Sequence, residues 1–206
     1  MILLHPTYFG PISHYILMYQ HREICFEIAD NFQKQTYRNR SYIYSSNGKL
    51  QLNIPIKHNK SAVRQKTKDV LIDNDFNWQK NHFKAYQNSY RSSPYFEYYE
   101  DDLAPLYHNT FTHLLDFNLK THEFIFDALQ EQLTISYTSE YETELTKGED
   151  FRFLVEAKKE KEFNLSPYTQ VFDDKFGFLP NLSILDLLFM EGPNALNYLE
   201  NHPKNI

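Results

Sequence analysis

The chain contains a single cysteine and only five glycines in 206 residues, and each shortage excludes a class of protein. One cysteine cannot form a disulfide within the chain, so a disulfide scaffold is excluded and a reducing compartment is expected. Cys25 lies between Ile24 and Phe26, and we expect its thiol to be buried as a small apolar group. The few glycines form neither a GxGxxG turn nor a glycine-rich phosphate loop followed by lysine, so the common nucleotide-binding motifs are missing.

Long apolar runs and an excess of positive charge are also missing. No stretch approaches the roughly eighteen apolar residues that cross a bilayer, and the first residues lack the basic and apolar regions of a signal peptide. We therefore expect no membrane span and a cytoplasmic protein. The formal net charge is −6, which argues against nucleic acid as a partner because binding to its backbone requires neutralisation of the phosphates.

Motifs for metal-dependent or nucleophilic catalysis are absent as well. The sequence has no HExxH, no GxSxG and no pair of cysteines, and its nine histidines are scattered without a recognisable ligand spacing. We predict no metal site and assign no cofactor. The oligomeric state stays open at this level.

Aromatic residues, by contrast, are abundant. Tyr, Phe and Trp make up 17% of the chain, with 16 tyrosines and 17 phenylalanines. A chain of this length buries enough surface for one ordinary core, so we predict a single domain over residues 1–206. We expect this core to consist of large rings, and many tyrosine hydroxyls must find hydrogen-bond partners.

The N-terminal part predicts a small sheet. The apolar run Ile2–Leu4 predicts a strand, Pro11 suits the first turn of the following helix, and Glu23–Ile28 predicts a second strand. Strand, helix and strand in succession form a βαβ unit with parallel strands. Farther on, Asn47 and Gly48 between two alternating runs are the strongest short signal for a β-hairpin.

The rest of the chain predicts mainly helices. Residues 78–133 have helical periodicity, and Leu182–Met190 predicts an apolar helix. Short strands are predicted at Val70–Ile72 and Leu133–Tyr137, and the charged residues 139–163 predict a surface excursion. We therefore predict an α/β fold with a small central sheet, a βαβ start, a β-hairpin and a helical second half packed against the sheet.

The loop after the first strand is the first candidate site. Ligands of open α/β sheets bind outside the carboxyl ends of the strands, and His5 and Tyr8 stand at that edge. His5 is either a general base or ligand contact, or a structural hydrogen-bonding side chain in a tight turn. We expect backbone amides at the helix start after Pro11 to be free to stabilise an oxyanion.

The second candidate is the polar segment from residue 33 to residue 40. It offers arginine forks, a lysine and amide groups, which suit the diphosphate of a nucleotide, and a lysine beyond the hairpin adds a further cation. The predicted contacts are Gln33, Lys34, Arg38, Asn39, Arg40 and Lys57. The alternative is a solvated loop that leads into the hairpin.

A third candidate is an aromatic stripe at helical spacing. Trp78, His82, Tyr86 and Tyr90 step by four residues and share one face of a helix. Such a stripe is typical of a core; alternatively, Trp78 contacts a substrate and His82 projects into a cleft as an acid or base. Asp186 lies among apolar residues, and we expect it to be exposed or paired with a basic residue, because burying an unpaired carboxylate is too costly.

Four separated blocks resemble the WbqC-like family, in its Bacteroidetes form, and follow one another in register over residues 2–199. The blocks are the opening HPTYFGP, the segment QKQTYRNR with the hairpin end LNIPIK, the helix WQKNHFKAYQNSY with SPYFEYY, and the closing NLSILDLLFMEGP. The positions that match the family pattern are His5, Pro6, Tyr8, Pro11, Gln33, Lys34, Arg38, Asn39, Arg40, Pro55, Trp78, His82, Tyr90, Pro94, Phe96, Asn181, Ser183, Asp186, Gly192 and Pro193. The opening departs from the commoner His-Gln-Pro-Asn-Tyr and so lacks one Gln and one Asn.

The resemblance implies a function in bacterial surface polysaccharide synthesis. Family members recur in gene clusters for O-antigen, and glycine-type transfer has been suggested for them. This implies an N-acyl or aminoacyl transferase acting on a small molecule, an amino sugar linked to a nucleotide. In this hypothesis Arg38 and Arg40 hold the diphosphate, and His5 or His82 accepts a proton from the amine. The alternatives are a non-catalytic module that binds a nucleotide or sugar, and a nucleotidyltransferase-like enzyme.

Overall fold

A computed structural model of the chain describes residues 1–57, 64–158 and 163–203. Its elements in chain order are β1 (Ile2–Leu4), α1 (Ile12–His21), β2 (Glu23–Phe26), β3 (Arg40–Ser45), β4 (Gly48–Asn53), α2 (Trp78–Tyr90), α3 (Phe96–His108), α4 (Leu114–Ala128), β5 (Thr134–Tyr137), β6 (Glu149–Asp150), α5 (Asp173–Phe176), α6 (Ile184–Glu191) and α7 (Asn194–Asn201). Within these described ranges, every helix is too short or too polar to span a bilayer.

Four short parallel strands form the central sheet, in the order β5-β2-β1-β6. Leu3 of β1 lies opposite Cys25 of β2 and Asp150 of β6, while Ile24 pairs with Ile135 of β5. All of β1 is buried, as expected for an apolar run that is covered on both faces. The parallel β1–α1–β2 unit and the late strand β5 are therefore confirmed.

Helix α1 lies inside the fold rather than on its surface. Every residue from Ile12 to Tyr19 is buried, and the helix contacts α6, α7 and β2. It ends at Arg22, whose φ of 59° is left-handed and whose amide donates to the carbonyl of Met18. This tight ending turns the chain back at once, so that β2 lies beside β1.

Strands β3 and β4 form the hairpin that the sequence predicts. They are antiparallel, with Arg40 opposite Asn53 and Ser45 opposite Gly48. Gly48 has a φ of 92°, a backbone conformation that residues with a side chain rarely adopt, so the turn requires glycine here. Leu52 is buried on the inner side of the hairpin.

Helices α2, α3 and α4 build an aromatic layer in the second half. Trp78 and Tyr86 of α2 are at most 4% exposed, so the predicted stripe faces the core. The rings of Tyr107 in α3 and Phe117 in α4 contact the Trp78 ring edge-on. Burial of these large rings removes much apolar area from water, which stabilises the packing of the three helices.

The prediction of a strand at Val70–Ile72 is wrong. Leu71 and Ile72 make only isolated bridges, to His113 and Ile56 respectively. Residues 55–57 and 112–114 each form only one bridge to this stretch, so no continuous ladder forms even though the side chains are apolar.

The charged segment 139–163 is more than a surface excursion. Glu149–Asp150 adds strand β6 beside β1, and the following 3₁₀ turn buries Leu154 and Val155. A two-residue strand of charged side chains has no apolar alternation, so periodicity does not reveal it. Residues 159–162 of this segment lie outside the described ranges.

Asp186 is fully buried among neutral donors, so the prediction of an exposed or cation-paired carboxylate is wrong. It accepts hydrogen bonds from the hydroxyls of Tyr90 at 2.7 Å and Tyr168 at 2.5 Å, and from the amide of Gln170 at 2.9 Å. These donors replace the water that burial removes. Burial raises the pKa of Asp186, while the three hydrogen bonds act in the opposite direction.

We expect Tyr90→Phe to lower the free energy of unfolding by about 2–3 kcal/mol. The Tyr90 hydroxyl donates to Asp186 and accepts from the backbone amide of Tyr44 at 3.1 Å, so its removal leaves two buried groups without this partner. Urea denaturation measures the change. The matched control is Tyr98→Phe, because Tyr98 is 70% exposed and its substitution should change stability by less than about 0.5 kcal/mol. Equal stability of the two variants would contradict this role of Tyr90.

A candidate active site at the carboxyl edge of the sheet

Polar side chains follow the parallel strands of the central sheet. His5 comes directly after β1, Glu27 after β2 and Thr138 after β5, while Arg152 lies two positions beyond β6. Because the carboxyl ends of parallel strands meet at one edge, these four side chains gather there. Thr138 Oγ1 donates to Glu27 Oε1 at 2.8 Å, and Arg152 Nη1 lies 3.4 Å from Glu27 Oε2.

A buried ion pair joins this edge from the loop between β2 and β3. Arg38 Nη2 donates to Asp30 Oδ2 at 2.5 Å and lies 2.9 and 3.0 Å from the two ring nitrogens of His5. Asp30 also accepts from Thr67 Oγ1 at 2.5 Å. We call this group the edge cluster; its members are His5, Glu27, Asp30, Arg38, Thr67, Thr138 and Arg152.

His5 is held in its neutral form. Burial and, to a lesser extent, the charge of Arg38 lower the pKa of His5 well below its usual value, against a hydrogen bond to the backbone of Glu27. The guanidinium of Arg38 can only donate, so a ring nitrogen of His5 must accept its hydrogen bond. A protonated ring has no free lone pair, and His5 is therefore uncharged at neutral pH.

Arg38 carries more donors than its neighbours use. The residue is 1% exposed, and its Nε and Nη1 have no hydrogen-bond partner among the described residues. Three of the five N–H groups of a guanidinium are thus available at the edge cluster. Unpaired buried donors are costly, so this position suits an anionic group that accepts from them. Burial also raises the pKa of Asp30, with Arg38 acting in the opposite direction.

Three of the predicted site residues lie instead in the aromatic layer. The Tyr8 hydroxyl is 2.9 Å from His82 Nδ1 and 2.8 Å from the Tyr107 hydroxyl, and Tyr8 is 0% exposed. The ring of Trp78 meets His82 edge-on. Burial lowers the pKa of His82 to about 4. Trp78, Tyr8 and His82 thus pack with one another, whereas His5 and Arg38 meet at the sheet edge.

The predicted anion-binding segment faces two directions. Arg38 points to the edge cluster, whereas Lys34, Asn39 and Arg40 line a groove of about 390 Å³ on the surface. Gln33 and Lys57 are exposed. The segment is therefore divided between a buried cluster and an open groove.

The start of α1 does not offer the free amides that we expected there. The Ile12 amide donates to the Leu182 carbonyl at 3.0 Å, and the Ser13 amide donates to Asn181 Oδ1 at 2.9 Å. The His14 amide donates to the Pro11 carbonyl. The closing segment thus caps α1, and these donors are not available to an oxyanion.

Comparison with known proteins assigns the chain to a family. A sequence model described as the WbqC-like protein family matches residues 5–162, which include every member of the edge cluster. The chain belongs to the WbqC-like family. The uncharacterized protein Rv1507c of Mycobacterium tuberculosis (strain ATCC 25618 / H37Rv) is 29% identical, over 84% of this chain and 87% of its own length. No solved structure matches the chain significantly.

Five members of the edge cluster in this WbqC-like protein were missed by the sequence reasoning: Glu27, Asp30, Thr67, Thr138 and Arg152. One signal was present for Glu27, because it directly follows the second apolar strand, as His5 follows the first. Arg152 had no such signal, since the strand before it is too short to recognise. Within the described residues, no three His, Cys, Asp or Glu side chains are arranged to hold a metal ion.

Proposed function

We propose that this WbqC-like protein transfers an acyl or aminoacyl group, of the glycyl type, to the amine of a nucleotide-linked amino sugar for bacterial surface polysaccharide such as O-antigen. The edge cluster is the proposed active site. One observation carries the proposal: Arg38 has unused buried donors beside a neutral His5 and the carboxylate of Asp30. An anion site next to a proton acceptor is what such a transfer requires.

Each group has a defined task in this proposal. Arg38 binds a phosphate oxygen of the substrate through Nε and Nη1 and so places the sugar amine beside His5. The amine nitrogen attacks the carbonyl carbon of an activated acyl donor, a nitrogen–carbon bond forms, and the bond to the leaving group breaks. The amine proton passes to the ring nitrogen of His5 that accepts from Arg38, and the Arg38–His5 hydrogen bond breaks as the proton arrives. Asp30 Oδ2, 3.8 Å from His5 Nε2, stabilises the charge that the ring gains. The leaving group then takes this proton from His5, and the ring returns to its neutral form.

Binding without catalysis is the second candidate function. It is favoured by the contact between His5 and Arg38, because a ring nitrogen that already accepts a hydrogen bond and has a strongly lowered pKa is a weak base. The edge cluster then recognises the anionic part of a nucleotide or sugar and performs no proton transfer.

We expect His5→Gln to reduce kcat by about 10²–10⁴-fold while the dissociation constant of the nucleotide sugar changes little. Glutamine retains a donor and an acceptor but cannot take up the proton. The assay incubates the protein with nucleotide-linked amino sugars and activated acyl donors and follows the product by mass spectrometry. The control is His108→Gln, which alters an exposed histidine of α3.

The same assay separates the two candidate functions. Full turnover in His5→Gln would refute the proton-accepting role. Binding of a nucleotide sugar that disappears in Arg38→Ala, with no transfer from any donor, would refute the transferase and support the binding module.

A further inference from the structure

The groove beside the hairpin has the properties of a separate ligand site. It has a volume of about 390 Å³, within the range of small-molecule sites, and Lys34, Asn39, Arg40, Asp73 and Phe76 are among the residues that line it. The edge cluster does not include any of these residues. The groove therefore offers its own combination of charge, hydrogen-bonding groups and apolar surface.

Two residues that line the groove each carry a buried polar atom without a partner among the described residues. Asn39 is 5% exposed, its Nδ2 donates to Asn53 Oδ1 and to the Ile54 carbonyl, and its Oδ1 has no donor. Arg40 Nε likewise has no acceptor. A native protein rarely leaves buried polar atoms unpaired, and a ligand that reached these two atoms would supply an acceptor to Arg40 and a donor to Asn39.

The charge of the groove favours an anion. Lys34 and Arg40 contribute two cations and Asp73 contributes one carboxylate. The guanidinium fork of Arg40 matches the oxygens of a phosphate, and the ammonium of Lys34 adds a point charge.

An exposed aromatic ring completes the set. Phe76 is 62% exposed, more than any other phenylalanine that the structure describes. Such a ring at the wall of a cationic groove is a platform on which a planar base can stack. One molecule can therefore use all three features: its phosphate binds the cations, its base stacks on Phe76, and an amino or hydroxyl group donates to the amide oxygen of Asn39.

We infer that the groove binds a nucleoside diphosphate, with the phosphates on Arg40 and Lys34 and the base on Phe76. The inference deepens the proposed function and rests on it for the link between the two sites. Arg38 and Arg40 are two residues apart, so their Cα atoms are separated by at most about 7.6 Å. The backbone therefore holds the two sites close together, although the side chains of Arg38 and Arg40 face different ways, and the proposed function adds the contact of the phosphate nearest the sugar with Arg38.

Isothermal titration of the full chain with UDP, CDP, dTDP, ADP and GDP, and with inorganic pyrophosphate, tests the inference. At least one nucleoside diphosphate should bind, and Arg40→Ala and Phe76→Ala should each weaken it by about tenfold or more. Phe76→Tyr keeps the ring and should bind within about twofold of the unaltered chain. Arg91→Ala is the control for lost positive charge, because Arg91 is exposed and paired with Glu100 elsewhere on the surface.

Four results would overturn the inference. The first two are the absence of binding by every nucleotide to folded protein, and binding that is unchanged in both Arg40→Ala and Phe76→Ala. The other two are pyrophosphate binding as tight as that of the nucleotides, and nucleotide binding that depends on Arg38 but not on Arg40. Because titration needs no acyl donor, a failed transfer assay with intact nucleotide binding refutes the proposed chemistry and leaves the groove assignment standing.

Discussion

Lowering the pH from 7 to 4 is expected to unfold the protein in one cooperative step. His5, His14, His82 and His122 are buried, each at most 6% exposed. Burial lowers the pKa of His14 and of His82 to about 4 and that of His122 to about 3, and it lowers the pKa of His5 well below the usual value. The folded protein thus keeps these rings neutral at a pH where the unfolded chain protonates them.

Comparing the pKa of each histidine in the folded and unfolded chain gives the direction in which stability changes with pH. Because the folded pKa of each histidine lies below the unfolded value of about 6.5, its stabilising contribution is complete above that pH and is lost as the pH falls through the folded pKa. A ring lowered to about 4, such as His82, contributes about 3 kcal/mol. Two or three such rings are comparable with the whole free energy of unfolding of a domain, about 5–15 kcal/mol. Asp30 and Asp186 act in the opposite direction, because raised carboxyl pKa values favour the folded state as the pH falls.

The test is urea denaturation at several pH values between 7.5 and 5, with His122→Gln as the informative variant. The Thr7 amide donates to His122 Nε2 at 3.1 Å, so Nδ1 carries the proton and donates to the Tyr15 hydroxyl at 3.0 Å. Glutamine can make both bonds but cannot be protonated. The free energy of unfolding of His122→Gln should therefore depend less steeply on pH. The reduction in slope corresponds to the uptake of up to about one proton fewer on unfolding. The control is His113→Gln at a more exposed position. An unchanged pH dependence in His122→Gln would refute the explanation.

Arg38→Ala is expected to lower the free energy of unfolding by about 3–5 kcal/mol. Its side chain and that of Asp30 are 2% and 8% exposed, so the substitution leaves a buried carboxylate without its cation. The substitution also removes a buried guanidinium with unused donors, and this removal is favourable. The uncompensated carboxylate outweighs that gain, because Thr67 alone then donates to it among the side-chain contacts described.

Urea denaturation at pH 7.5 measures this effect, and the double variant Arg38→Ala, Asp30→Asn identifies its cause. Removing the charge of Asp30 should restore a large part of the lost stability. Arg91→Ala breaks a surface ion pair and should cost at most about 1 kcal/mol. If Arg38→Ala is as stable as the unaltered chain, Asp30 is protonated in the folded protein and the pair is not ionic.

The parts of the fold that depend on local patterns could be predicted from the sequence. The apolar run of β1 followed by a proline-started helix, the Asn47-Gly48 turn and the four-residue spacing of the α2 stripe each follow from local sterics or from one buried face. Strand β6 could not be predicted, because Glu149 and Asp150 gain their partner only when a distant segment returns to β1. Asp186 could not be predicted either, because two of its donors, Tyr168 and Gln170, come from an irregular segment.

The candidate site was predictable only in part, for a similar reason. His5 follows from its position after β1, and the cations of residues 33–40 are evident from composition. The sequence does not tell that Arg38 turns inward while Arg40 turns to the groove, because the residues before β3 have no regular alternation. The carboxylates at the edge depend on which strands become neighbours, and that is a property of the whole sheet.

The hydroxyl groups that meet at Tyr8 make more contacts than they have hydrogen atoms to fill. His82 bonds the backbone of Asn53 with one ring nitrogen, which must donate, so its Nδ1 receives the proton of Tyr8. Four contacts join Tyr8, Tyr86, Tyr107 and His82, but only three hydroxyl protons are available for them. One oxygen–oxygen contact therefore lacks a hydrogen at every instant. The imidazole of His82 thus fixes the direction of the Tyr8 hydroxyl, and the protons of Tyr86 and Tyr107 are left to exchange among the other three contacts.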